Sequence, residues 1–282
     1  MKIAFWGNGD YSSGVTSNLA CISIASTFEY SYKAILIENH QQRNKLENVL
    51  MYNLRYRLRE LQYQSKRSGM NHILNYYYMD MLSRDNKECS TNVIKEASLE
   101  VLYNKLYYLP TDYVSNHYMY EYNLYATIKK LLIELDDFAD ITYIDTSNHK
   151  LSSKIILDEA DLIVVNLIQN QNMIKDFFEN YSSIIHKCVF LISNYHSGSI
   201  INISQISKTY LINPTHIVAI PYNMEYQHAL NQGTVVEFLS RNYKCDKQNP
   251  NYQFVKQVKL AVKMINKIMI SNDNFTFLSS TS

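Results

Sequence analysis

Three of the chain's six glycines fall within eight consecutive residues, at Gly7, Gly9 and Gly14 of FWGNGDYSSGVTSN. Counted from Gly9 the spacing is Gly-x-x-x-x-Gly-Val-Thr, one residue away from the Gly-x-x-x-x-Gly-Lys-Thr of a phosphate-binding loop. Such a loop aims successive backbone N–H groups at an anion, and the helix that follows adds partial positive charge at its N-terminus. These donors belong to the backbone and do not depend on the missing lysine. Gly9, Ser12, Ser13, Gly14, Val15, Thr16 and Ser17 are therefore candidate nucleotide-binding positions. Thr16 stands where the loop hydroxyl binds Mg²⁺. The plainer alternative is a tight strand-to-helix turn with Thr16 opening the helix.

A second candidate is Asp145 in ITYIDTS. It ends an apolar run, the position from which a Walker-B carboxylate reaches Mg²⁺ directly or through water. Acidic residues also cap strand ends for solubility alone. Together with the first-strand loop the position means more, because open α/β sheets bind ligands at the carboxyl ends of their strands.

The elements that must hold these residues are legible as alternating runs. Strand character appears at 2–6, 33–39, 106–110, 140–146, 161–167, 188–194 and 216–222. Runs such as LIVV and VFLI do not alternate, which marks strands covered on both faces. Helical patterns lie at 15–26, 121–135, 170–181, 203–210 and 252–270. The expected architecture is α/β: a three-layer sandwich on a mostly parallel sheet of about seven strands. Residues 1–270 read as one domain, with a helical insertion at about 43–102 and a flexible tail from 271 to 282.

Composition narrows the function classes. The chain has 282 residues, 46% hydrophobic and 19% charged, so it is globular and long enough for a large core. A net charge of +1 excludes a generally basic nucleic-acid binder. The four cysteines form no CxxC pair and the eight histidines show no metal spacing. There is no signal-peptide pattern and no apolar run of about 18 residues, so a reducing cytoplasm is the expected compartment.

Four segments resemble the ParA/MinD group of P-loop ATPases, which includes the TadZ-type proteins of pilus-assembly loci. SSGVTSNLA is similar to that group's GGxGKTTxxxNLA, and AILIEN to its VLLIDxD strand. ITYIDTS with EADLIVVN is similar to its IDTP strand and the strand after it. FLISN and VAIPYNMEYQHALNQGTVVEFL are similar to its base-binding VxN strand and its IPxDxxxxxAxxxGxPV segment. The resemblance covers about 1–40 and 105–265, leaving the insertion unmatched. It implies ATP with Mg²⁺ as ligand, held by the amides of Ser12 to Ser17, with Thr16 and Asp145 at the metal. Asn194 would read the adenine edge, and Pro221, Tyr222 and Asn223 would wall the base. It also implies a homodimer that docks on a protein partner in a larger assembly, or on DNA or a membrane.

The departures fall on the charged groups. The two lysines of that group's loop are replaced by Asp10 and Val15, and the Asp pair ending its second strand by Glu38 and His40. Glu38 can still act through Mg²⁺; His40 cannot replace a carboxylate that orients water. Phosphoryl transfer rests on positioning and on stabilising transition-state charge, and one such lost contact costs about 3 kcal/mol. The expectation is ATP hydrolysis that is very slow or absent. Arg55, Arg57, Arg59, Lys66 and Arg67 cluster in the insertion, as a solvated helix face or a partner patch. Lys256, Lys259, Lys263 and Lys267 stripe the last helix opposite an apolar face, a pattern of sheet packing or of membrane docking.

Overall fold

The apolar runs that do not alternate become the middle of a sheet with helices on both sides. The computed structural model describes residues 1–9, 13–39, 45–51, 69, 70, 72–74, 77, 91–111, 117–146 and 151–271, with backbone only at 117–121. The eight strands are β1 (Lys2–Trp6), β2 (Ala34–Asn39), β3 (Leu99–Leu102), β4 (Leu106–Leu109), β5 (Ile141–Thr146), β6 (Leu162–Leu167), β7 (Cys188–Tyr195) and β8 (Ile217–Pro221). They lie in the order β3-β4-β2-β5-β1-β6-β7-β8, parallel except for the β3–β4 pair. β2, β5 and β6 are buried at every position, as strands covered on both faces must be.

Seven of these strands coincide with the runs read from the sequence. The eighth, β3, falls at the end of the segment read as a helical insertion. It is four residues long and joined to β4 by a turn with Asn104 at φ 53, so its pattern was too short to show a period. Within that segment the described helices are α2 (Lys45–Met51) and α3 (Thr91–Ala97). The Arg55–Arg67 cluster lies outside the described residues.

One helical layer holds α1 (Val15–Glu29), α2, α8 (Met224–Gln232), α9 (Val235–Asn242) and α10 (Tyr252–Ser271), all contributing to one core cluster. The other holds α3, α4 (His117–Phe138), α5 (Leu151–Glu159), α6 (Gln171–Asn180) and α7 (Ile203–Thr209) over the second cluster. α10 turns Phe254, Val255, Val258, Val262, Ile265 and Met269 inward and leaves Lys256, Lys263 and Lys267 exposed, so its apolar stripe is used in packing.

α1 is buried on every side. Ten consecutive residues, Asn18 to Thr27, are inaccessible. Such a helix must satisfy its own polar groups. The hydroxyls of Ser23, Ser26 and Thr27 donate to the carbonyls of Ala20, Ser23 and Ile24. Ser26 and Tyr32 also meet the Tyr143 hydroxyl, at 3.1 and 3.0 Å. Burial pushes the Tyr32 and Tyr143 hydroxyls up and the Cys21 thiol up to about 12.

These shifts fix the sign of an alkaline transition. The neutral forms are favoured in the fold, so their contribution is full below the unfolded values and is lost as pH rises toward the folded ones. Urea unfolding midpoints should fall as pH rises above the ordinary thiol value of 9.0. Cys21→Ala should flatten part of that fall.

Candidate functional site

The strand-to-helix connection between β1 and α1 is held from both ends by groups that come from far along the chain. At its entry Asn8 donates to the Met173 carbonyl at 2.9 Å and to the Asp176 carboxylate at 2.8 Å, both on α6. At its exit the Ser193 hydroxyl, from β7, donates to the Ser13 carbonyl at 2.6 Å. Ser193 in turn accepts from the Asn18 amide at 2.8 Å, and that amide also donates to Asn166 Oδ1 at 2.8 Å. Asn166, on β6, completes the relay by donating to the Val164 and Trp6 carbonyls. Asn18, Asn166 and Ser193 are all buried, where an unmet polar group would cost about 1–3 kcal/mol.

The glycines fit this relay. A Cβ at Gly7 would stand 2.6 Å from Ser13 Oγ and 2.9 Å from the Asn166 carbonyl, so only glycine lets the loop close onto β6. Gly14 is the N-cap of α1 at φ 76 and ψ 20, the left-handed region that glycine occupies without strain. Among the described residues no side chain caps α1, and its first turn carries no acid, so the first N–H groups of a 15-residue helix are open to another acceptor.

The other sequence-derived positions divide into open and occupied groups. Thr16 is half-buried and its hydroxyl makes no hydrogen bond among the described residues. Ser17 turns its hydroxyl back to the Gly14 carbonyl at 3.0 Å. Val15 packs against the α1-side core, and Gly9 lies under the Met173 methyl. Asp10, Ser12 and His40 lie outside the described residues.

Asp145 is fully buried at the end of β5, in register with Phe5 on one side and Glu38 on the other. Phe5, Leu36 and Tyr143 face the α1 layer, so the period of two places both carboxylates on that face. Glu38 carries a tertiary load: Oε1 accepts from Tyr108 at 3.0 Å and Thr111 at 2.9 Å, and Oε2 from the Leu46 backbone N–H at 3.1 Å. It thereby anchors the start of α2.

Asn194 is exposed at φ 49, where β7 bulges. Pro221 ends β8 beside it, paired with Tyr195. Tyr222 is 51% exposed, and its ring lies nearly parallel to that of His196, with centroids 6.1 Å apart. Asn223 is committed to capping α8, accepting from Tyr226 N at 2.7 Å while donating to Asn251. Tyr226 then donates to the Ser17 carbonyl at 2.5 Å, which ties this wall to the first turn of α1. Burial holds the Tyr226 hydroxyl well above its ordinary range, so it stays a donor.

Nearly the whole chain superposes on solved structures with this layout. The fold is that of the ParA/MinD ATPases. A ParA family ATPase from Chlorobium tepidum TLS matches with a TM-score of 0.68 at 14% identity, covering 93% of this chain and 98% of its own. The septum site-determining protein MinD of Pyrococcus horikoshii OT3, complexed with Mg-ADP, matches at 0.65 and 14% identity, covering 98% and 100%. A putative plasmid partition protein from Borrelia burgdorferi B31 bound to AMPPNP matches at 0.60 and 12% identity, covering 95% and 99%. No family model and no curated protein matches the sequence.

The sequence motifs find the glycine loop between β1 and α1 and the carboxylate Glu38 that ends β2. They miss Asn18, Asn166 and Ser193. The available signal was slight: a polar residue interrupting each of the apolar runs LIVVNL and VFLISN. Among the described residues no group of His, Cys, Asp and Glu forms a ready metal cluster, and no helix is long and apolar enough to cross a membrane.

Two substitutions test this geometry. Asn18→Ala removes both relay bonds and should cost about 2–4 kcal/mol in urea unfolding. Glu38→Ala strips three acceptor contacts and should cost about 3 kcal/mol or more, with protease cleavage rising near Leu46 as α2 loses its anchor.

Proposed function

We propose that the chain is a nucleotide-responsive regulator that binds ATP with Mg²⁺ and hydrolyses it very slowly or not at all. The observation that carries this reading is the uncapped N-terminus of α1, held in place by buried hydrogen bonds that involve no nucleotide. A triphosphate fits such a set of preformed backbone donors. Gly7 allows the close approach of chain that a phosphate cradle needs, and the Thr16 hydroxyl remains open for a metal ion. Asp145 supplies a buried carboxylate on the same face, while Tyr222 and Asn194 offer an exposed wall for the base.

What the loop lacks is cationic. Val15 takes the lysine position next to Gly14, and Asp10 puts a negative charge in the same loop. Binding therefore rests on backbone dipoles and the metal, and the transition-state charge goes largely unmet. In this reading the bound nucleotide is a conformational signal within a homodimer that positions a larger assembly. The Mg-ADP and AMPPNP complexes of the P. horikoshii and B. burgdorferi proteins support the ligand class.

Calorimetric titration with Mg-ATP should give weak, saturable binding. Val15→Lys should tighten it by tenfold or more, and Thr16→Ala should remove the Mg²⁺ dependence. Absence of binding in both wild type and Val15→Lys would leave a nucleotide-free scaffold. Rapid phosphate release by the wild type, abolished by Thr16→Ala, would make the chain a working ATPase instead.

A further inference from the structure

A hollow of about 730 Å³ opens at the opposite end of α1 from the glycine loop. Phe28, near the last turn of α1, lies 14 positions beyond Gly14, which places the hollow about 20 Å from the loop at 1.5 Å per residue. Its wall is formed by Lys105 from the β3–β4 turn, by Arg241 in the last turn of α9, and by Lys244 and Asp246 in the chain between α9 and α10.

The floor is aromatic and the rim is cationic. Phe28 and Tyr243 meet edge to face with centroids 5.0 Å apart. Tyr243 is held down by its hydroxyl, which donates to the Glu29 carboxylate at 2.6 Å, and by Lys259, whose ammonium sits 4.2 Å from the ring centroid. Around this floor stand three exposed cations, Lys105, Arg241 and Lys244, and none of them is in an ion pair among the described residues. Lys105 spends one N–H on the Thr27 carbonyl and Arg241 one on the Glu237 carbonyl, leaving the rest of each donor set open. The one carboxylate in the wall, Asp246, is already engaged by the backbone N–H groups of Gln248 and Asn249. Two further acids stand close by: Glu29, beyond the Tyr243 hydroxyl, and Glu237, one turn before Arg241 on α9.

Three like charges gathered around an aromatic floor are offset only in part by Asp246 and Glu29, so an added anion would relieve their mutual repulsion. The volume lies within the range of small-ligand sites. Arg241 offers a planar fork that matches a carboxylate or a phosphate, and the lysines add point charges. We propose that this hollow binds a small organic anion bearing two or more negative charges, as phosphate or carboxylate, on a flat or aliphatic body. The site is separate from the glycine loop and does not depend on nucleotide binding there.

The probe is 8-hydroxypyrene-1,3,6-trisulfonate, a flat fluorescent trianion, titrated against the full chain by anisotropy. Saturable binding of one probe per chain is expected, weakening as salt is raised. The double variant Arg241→Ala, Lys244→Ala should weaken it by tenfold or more with an unchanged melting curve. Lys244→Gln alone, a lesser perturbation, should weaken it severalfold and serves if the double variant does not fold. Displacement by citrate assigns the carboxylate form, and displacement by inorganic pyrophosphate the phosphate form. Unchanged affinity in the variants, as a probe held at the glycine loop would give, overturns the proposal. So does failure of both anions to displace the probe.

Discussion

The carbonyl of Ser13 is held by a hydroxyl that arrives from a strand 180 residues further along the chain. Through Ser193 the glycine loop is joined to β7, through Asn166 to β6, and through Asn18 to the first turns of α1. Asn18, Asn166 and Ser193 lie far apart in sequence, so the relay forms only when β1, β6, β7 and α1 have come together. The low dielectric that makes these bonds strong also makes an incomplete version costly, and this favours one loop geometry over its neighbours. The placement of every candidate ligand-facing group on α1 follows from it.

Glu38 and Asp145 sit side by side on the face of the sheet that α1 covers. Glu38 is bound on both oxygens by the chain itself, and its work is to seat α2 against β2 and β4. A sequence pattern that reads only the strand end cannot show that Glu38 is spent on seating a helix. That information lies in Leu46, Tyr108 and Thr111, which reach the carboxylate only through tertiary structure.

The same distinction explains which parts of the molecule could be read in advance. Strands such as β5 and β6 are legible because burial on both faces leaves an unbroken apolar run. α10 is legible because one face packs and the other is wet. α1 is harder, since it is buried all round and its serines and threonines face inward, where they bond to their own backbone. β3 was hidden because four residues beside an Asn104 turn carry too little pattern to outweigh the helical segment before them. At the site, glycines announce themselves through spacing, but Asn18, Asn166 and Ser193 look like interruptions in apolar runs until the strands are aligned. Asn223 likewise shows its part as the N-cap of α8 only once that helix is placed.

The relay under the glycine loop also separates two things that most phosphate loops inherit together. Its shape is secured from beneath, by amides and hydroxyls that no solvent or ligand touches. Its reactivity would be secured from above, by cations that project into the cleft. The two sets can therefore vary independently of one another. Folding constrains the lower and chemistry the upper, so residues on the ligand side of such a loop can change while the architecture stays whole.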